Sequence, residues 1–141
     1  MIYINKINKT DKMKYRELQG IYNDLVELKN FKPKDKKEMD FFWDVVRLRR
    51  EIDSELEVLK EIIEPFNLNE KEMEYYNLVQ ANSDVKSVPD EVIKSTKEKV
   101  QAQSNANMKE CEKVFKKFNE KDIPIGVNGG VLIALSNFID L

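Results

Sequence analysis

The chain has 141 residues, of which 41% are hydrophobic and 35% charged, and its 24 basic residues nearly balance its 26 acidic ones. This length fits a single domain over residues 1–141, and the high charge content favours slender amphipathic helices over a thick globular core. The near-neutral charge argues against nucleic acid as a partner, because sequence-independent binding needs clustered cations. The absence of histidine excludes a Ser-His-Asp or Cys-His catalytic arrangement within this chain.

A single cysteine, Cys111, cannot form a disulfide within the chain, which indicates a reducing compartment. The sequence contains neither an apolar run of signal-peptide length nor a membrane-spanning stretch of about 18 apolar residues. It also shows no nucleophile–base pair and no cluster of metal ligands. We therefore expect a cytoplasmic protein with no membrane partner, no metal and no cofactor, and we expect Cys111 to be a buried, inert thiol.

The N-terminal third begins with an alternation of polar and apolar residues at Ile2 and Ile4, which predicts a short strand. A first amphipathic helix is predicted to follow and to end near Leu28. Residues 29–37 form a polar linker rich in lysine. This linker is either a solvated turn or a contact for a phosphate group or an acidic partner.

The central element is a long amphipathic helix over about residues 36–64, with Asp35 as its expected N-cap and Glu38 reaching back. Its apolar positions follow two heptad series, which are Val45, Ile52, Leu59, Phe66 and Phe41, Leu48, Glu55, Ile62. Their 4-3 alternation is typical of the seam of a helical bundle or coiled coil. Glu55 interrupts the second series, where Leu56 can replace it. It either flanks the seam or sets the register against a basic residue of a partner helix.

Three consecutive aromatic residues, Phe41 to Trp43, lie in the first turns of this helix. Because successive residues step by about 100°, at least one of them must leave the seam. They either pack against the first helix and the termini, or present an aromatic anchor to another protein, where arginine is also enriched. The residues predicted to form such an interface are Phe42, Trp43, Arg47, Arg50 and Glu55.

The next segments are two more helices separated by a polar linker at residues 82–88. Asn69 and Glu72 form a capping-box pattern ahead of a short helix whose apolar residues are Met73, Tyr76 and Val79. A longer helix is predicted from Pro89 to about Phe118. The tract at residues 101–107 has no large apolar side chain, and it is a continuous surface helix, a break, or a polar layer.

The segment at residues 123–141 is apolar. Residues 123–127 predict an edge strand limited by Pro124, which could pair with Ile2–Ile4 as a short two-stranded β element formed by the termini. Residues 131–141 are predicted to be helical, although Asn128-Gly129 is also a hairpin signal. The fold class is therefore mainly α, as a helical bundle or elongated helical hairpin built on the long central helix.

The long helix with Phe41-Phe42-Trp43 and Arg47-Leu48-Arg49-Arg50, followed by Ile123-Pro124-Ile125 and an apolar tail, resembles the uncharacterised small helical proteins of tailed phages and prophages of low-GC bacteria. The resemblance is one of architecture. It implies a virion-assembly or accessory role, or inhibition of a host defence system.

We therefore predict a non-enzymatic helical protein–protein interaction module. Its partner would be a second copy of the chain, giving a homo-oligomer, or a host or phage protein. One alternative is a phage-encoded inhibitor that binds a host defence protein. Others are a small hydrolase that uses carboxylates alone, and a nucleic-acid adaptor, which would need residues 29–37 and 47–50 on one face.

Overall fold

A computed structural model describes residues 12–139 of the chain. The α-helices of this part are α1 (Tyr15–Leu25), α2 (Lys36–Ile63), α3 (Glu70–Gln80), α4 (Asp90–Met108) and α5 (Gly129–Leu135). Short 3₁₀ helices cover Val26–Asn30, Glu64–Phe66, Glu120–Asp122 and Ser136–Phe138. Over residues 12–139 the only β pairing consists of isolated bridges. The predicted mainly α fold class is confirmed.

The described residues form two compact units. The first contains the chain up to Val58 together with the chain from Glu110 onward, and the second is Leu59–Lys109. In the first unit α1 packs against α5. Its core side chains include Leu18, Leu25, Val45, Ile52, Cys111, Val131, Leu135 and Phe138.

Helix α2 begins where the capping pattern predicts. The Asp35 side chain accepts a hydrogen bond from the Glu38 amide at 2.9 Å, while the Glu38 carboxylate accepts from the amide of Lys34 at 3.0 Å. Within the first unit the seam residues Phe41, Val45, Leu48, Ile52 and Leu56 are all buried. Leu56 has therefore replaced Glu55 in the second series, as the sequence allowed.

The seam is shorter than predicted. Ile62 and Phe66, assigned to it by the heptad pattern, are 42% and 36% exposed. The first unit of a single chain already covers the seam from Phe41 to Leu56. A homo-oligomer would therefore have to use a different surface.

In the second unit α3 packs against α4 and begins at the predicted capping box. The Glu72 amide donates to the Asn69 side chain, and the Asn69 amide donates to the Glu72 carboxylate, both at 2.9 Å. The apolar residues that the sequence places in this helix, Met73, Tyr76 and Val79, are exposed. The buried residues are instead Glu72 and Tyr75, since Lys99 of α4 neutralises the Glu72 carboxylate at 2.7 Å.

Helix α4 continues through residues 101–107, so this tract contains no break. The Gln103 side chain instead donates to the backbone carbonyl of Phe66 at 2.6 Å. The helix ends at Met108, and the prediction that it reaches Phe118 is wrong.

Residues 110–118 are non-helical, because their backbone pairs with distant parts of the first unit. The Cys111 amide donates to the carbonyl of Met13, and the Phe118 amide donates to that of Phe138, both at 2.6 Å. This backbone buries Cys111, Phe115 and Phe118 but leaves Val114 57% exposed.

The predicted β element is wrong in its C-terminal arm, and its other arm, Ile2–Ile4, lies outside the described residues. Residues 123–127 form a bend and a turn rather than a strand. Gly126 adopts φ +94°, a backbone conformation that favours glycine. Asn128 then caps α5, since its side chain accepts from the Gly130 amide at 2.7 Å. Asn128-Gly129 therefore starts a helix rather than a hairpin, as predicted for the helical C-terminal segment.

Candidate protein-binding face

The outward face of α2 carries an unusual set of side chains, which we name the outer stripe. It consists of Met39, Trp43, Val46, Arg47 and Arg50. At about 100° per residue these five positions fall within an arc of about 100°, roughly 180° from the buried seam. The packing of the seam therefore fixes the direction of the outer stripe, which points away from the core of the first unit.

The outer stripe exposes large apolar side chains to solvent. Met39 is 43% exposed and Trp43 is 49% exposed, while the Arg47 side chain is 69% exposed. Val46 is half-buried and Arg50 is exposed. The outward face of a bundle helix is normally polar. Trp, Met and Arg are, by contrast, the residue types enriched at protein interfaces.

Charged residues border the outer stripe on one side. Arg47 forms an ion pair with Asp44 at 3.2 Å, and Lys116 approaches the other oxygen of the same carboxylate at 3.6 Å. Asp40, Trp43, Asp44 and Arg47 line a shallow depression. The positive end of the stripe is thus at Arg47 and Arg50, and its negative edge is at Asp40 and Asp44.

A second cleft, of ≈ 310 Å³, lies beside this edge in the first unit. It is lined by Lys37, Asp40, Phe41, Asp44, Lys116, Lys117, Phe118, Asn119 and Asp122. Cationic and anionic side chains alternate across it, and several neutralise one another, such as Lys37 with Asp122 at 3.9 Å. The cleft therefore offers no strong net charge to a ligand.

Three of the five residues predicted to form an interface lie on the outer stripe, namely Trp43, Arg47 and Arg50. Phe42 is half-buried on the flank of the helix, about 100° away from the middle of the stripe. Glu55 lies on the seam side instead. The sequence prediction missed Met39, although its i, i+4 spacing to Trp43 is a signal that could have identified it.

Glu55, which is half-buried, belongs to a cluster with the buried residues Cys111 and Tyr15. The Cys111 thiol donates a hydrogen bond to the Glu55 carboxylate at 3.1 Å. Burial, followed by this contact with Glu55, raises the pKa of the Cys111 thiol. Burial and the neighbouring Cys111 likewise raise the pKa of Tyr15. Because both groups stay neutral and Cys111 is fully buried, the cluster has the properties of packing residues rather than of a nucleophile.

The Glu72–Lys99 ion pair of the second unit also has a structural role. Glu72 is 2% exposed, and the Asn69 amide and then Lys99 lower the pKa of its carboxyl group to about 2. Lys99 also donates to the Asn67 carbonyl at 3.4 Å. The pair therefore joins α4 to the start of α3.

Between residues 12 and 139, no group of three or more His, Cys, Asp or Glu residues is arranged to hold a metal ion. Among the helices of that same range, none combines the length and the apolar character needed to cross a membrane.

The comparisons with known proteins gave no relatives. No family model matches the chain, and no match was found among curated proteins or solved structures. The functional argument therefore depends on the chemistry of the surface.

Proposed function

We propose that this chain is a non-enzymatic protein-binding module that docks the outer stripe of α2 into an apolar groove on a partner protein. The observation that supports this most strongly is Trp43, a large aromatic side chain left half-exposed on the outward face of a helix whose opposite face is buried from Phe41 to Leu56. The binding mode is a helix in a groove, with anchors at i, i+4 and i+7.

The anchors of this mode are Met39, Trp43 and Val46, which occupy consecutive turns on one side of α2. Burying a tryptophan at the centre of an interface is among the largest single contributions to protein–protein affinity. Methionine adds an adaptable apolar contact, because its unbranched side chain fits irregular cavities. The helix presents all three without a change of fold, so little conformational entropy is lost on binding.

Charge defines the chemistry of the partner. Arg47 and Arg50 lie at the C-terminal end of the outer stripe, and arginine at the rim of an apolar contact pairs well with carboxylates. The groove that fits this surface is therefore apolar where it receives Trp43 and acidic where it meets the two arginines. Rim charges of this kind raise the association rate and make it sensitive to salt.

The experiment is a comparison of three baits: the wild-type chain, Trp43→Ala and Ile133→Ala. Ile133 is 70% exposed and belongs to α5, so its variant is a matched loss of apolar surface in the same unit. A lysate of a low-GC bacterium, the setting that the phage resemblance implies, supplies the proteins to be captured. We expect the wild-type chain and Ile133→Ala to capture the same protein from the lysate. Trp43→Ala should fail to capture it.

The purified partner is then titrated into the chain. Because Trp43 is the only tryptophan, its emission should shift to the blue and lose access to iodide as it becomes buried, provided that the partner's own emission is subtracted. Binding that leaves Trp43 open to iodide, or that Trp43→Ala retains unchanged, would contradict the proposed function.

A further inference from the structure

We infer that the cleft beside the negative edge of the outer stripe binds a small zwitterion with an apolar body, namely a free α-amino acid. The inference goes beyond the proposed function and does not depend on it. The cleft lies within the first unit and has a volume of ≈ 310 Å³. Small-molecule sites have volumes of about 300–1,000 Å³, so the cleft suits a ligand of this size.

The floor of the cleft is formed by two phenylalanine rings, Phe41 of α2 and Phe118 of the segment at residues 110–118. Their centroids are 6.2 Å apart in an edge-to-face arrangement, and the two residues are only 3% and 7% exposed. Both rings are held in the core of the first unit, so the small area that they leave open is fixed and apolar. An apolar side chain of a ligand can therefore rest on this floor without displacing a core residue.

The rim of the cleft contains one carboxylate that is available to a cationic group. Asp40 is exposed, and it forms no ion pair with any other residue in the described range 12–139. Asp44 lies one turn further along α2, and like charges at i, i+4 repel each other. Arg47 and Lys116 neutralise Asp44, whereas the charge of Asp40 is left for the ammonium group of a ligand.

The rim also contains a cation that can turn from its present partner to a ligand. Lys116 lies 3.6 Å from one oxygen of Asp44, a distance longer than a direct charge-assisted hydrogen bond. Arg47, which does not line the cleft, holds the other oxygen at 3.2 Å. Lys116 can therefore bind the carboxylate of a ligand while Asp44 keeps a cationic partner.

The spacing of these two groups fits an α-amino acid. Residues at i and i+4 of a helix have their Cβ atoms about 5–6 Å apart, so Asp40 and the pair of Asp44 with Lys116 line the cleft one helical turn apart. The ammonium and carboxylate groups of an α-amino acid share one carbon atom, and a hydrogen bond of about 2.8 Å on each side spans such a distance. One small molecule can therefore contact Asp40 and Lys116 at once while its side chain rests on the apolar floor.

The balance of charge around the cleft disfavours ligands that carry only one sign. Three lysines and three aspartates line it. An anion such as phosphate would lie close to the carboxylates, and a simple cation would lie close to the ammonium groups, so that like charges oppose binding in each case. A zwitterion meets a complementary charge at both ends, which is why we assign this class of ligand to the cleft.

The test uses three probes that differ by one charged group. They are L-phenylalanine, 3-phenylpropionate, which lacks the ammonium group, and 2-phenylethylamine, which lacks the carboxylate. Each is titrated into the full chain and followed by two-dimensional NMR of the backbone amides. We expect L-phenylalanine to bind with shift changes at residues 37–44 and 116–122. Each of the other two probes should bind about tenfold more weakly or less, because each loses one charge-assisted hydrogen bond.

Two substitutions assign the charged contacts. Asp40→Asn should weaken the binding of L-phenylalanine by about tenfold, but it should not weaken 3-phenylpropionate, because that probe has no ammonium group. Lys116→Gln should weaken L-phenylalanine to the same extent, but it should not weaken 2-phenylethylamine. The matched controls are Asp24→Asn and Lys29→Gln, at exposed positions of the first unit outside the cleft, and they should change nothing. Circular dichroism confirms that every variant is folded.

Four results would overturn the inference. The first is an absence of saturable binding by L-phenylalanine near its solubility limit, and the second is equal binding of the three probes. The third is a set of shift changes that maps to another part of the chain. The fourth is unchanged binding of L-phenylalanine by Asp40→Asn and Lys116→Gln. None of these results bears on the proposed function, because Trp43 does not line the cleft.

Discussion

Two aromatic residues separated by one position on α2 are predicted to have opposite roles, and paired substitutions test this. Phe41 lies in the core of the first unit, and its ring makes edge-to-face contacts with Phe31 and Phe118 at centroid distances of 6.2 Å. Trp43 lies on the outer stripe. We expect Phe41→Ala to destabilise the fold severely, and Trp43→Ala to leave it nearly intact while removing partner binding.

The expected magnitudes follow from burial. Phe41 is 3% exposed, and truncating a buried phenylalanine to alanine costs about 3–5 kcal/mol through lost transfer energy and a cavity. Each edge-to-face contact adds about 0.5–1.5 kcal/mol beyond burial. Trp43 is 49% exposed and leaves no closed cavity. Half of the roughly 1.5–3 kcal/mol for full burial of a large apolar side chain gives about 1 kcal/mol.

The assay is urea denaturation followed by far-UV circular dichroism, which reports on both variants without using Trp43 as the probe. The free energies of unfolding should differ by at least about 2 kcal/mol between the two variants. Similar m values would show that the same surface is exposed in each case. If Trp43→Ala costs as much as Phe41→Ala, Trp43 is a core residue. The outer stripe would then not be a free surface, and the proposed function would fail.

Three further predictions concern stability and reactivity. The pKa of Glu72 is lowered to about 2, so its contribution to the stability of the second unit is complete above pH 4.5 and is lost as the pH falls toward 2. Glu72→Gln should remove this part of the acid sensitivity. Gly20→Ala should stabilise α1 by about 0.5–1 kcal/mol, whereas Gly126→Ala should destabilise the turn by about 1 kcal/mol. Cys111 should react with iodoacetamide far more slowly in the native protein than in urea.

Each of these predictions has a defined contrary result. Acid unfolding of Glu72→Gln that follows the wild-type curve would show that the carboxylate does not couple folding to pH. If Gly20→Ala and Gly126→Ala change the melting temperature in the same direction, the result would contradict the φ of +94° at Gly126 or the open helical site at Gly20. Rapid alkylation of native Cys111 would show that the first unit opens around it.

Helix α2 could be predicted well because its signals are local. The Asp35 cap lies three residues from Glu38, and the heptad spacing of Val45 and Ile52 repeats within two turns. The same kind of helical spacing led to a wrong prediction of the C-terminal end of α4. Cys111, Val114, Phe115 and Phe118 are spaced like a helical stripe, but the amides of Cys111 and Phe118 bond to Met13 and Phe138. Because Met13 and Phe138 lie far from residues 110–118 in the sequence, a local pattern cannot reveal this pairing.

Helix α3 shows the same limit of local sequence patterns. The sequence shows Met73, Tyr76 and Val79 as apolar residues of α3, and apolar side chains are buried more often than glutamate. Glu72 is buried instead, and its cation, Lys99, lies on another helix.

The sequence by itself determined the helical class and the long helix α2 with its buried seam. Because the seam occupies one side of α2, it also determined that at least one of the three aromatic residues Phe41 to Trp43 faces outward. These features depend on a period of 3.6 residues and on caps within one turn, which a short stretch of chain encodes. Only the tertiary structure decided which aromatic faces the core, where α4 ends and which side of α3 is covered. Those outcomes depend on contacts between residues far apart in the chain, such as Phe41 with Phe118 and Glu72 with Lys99.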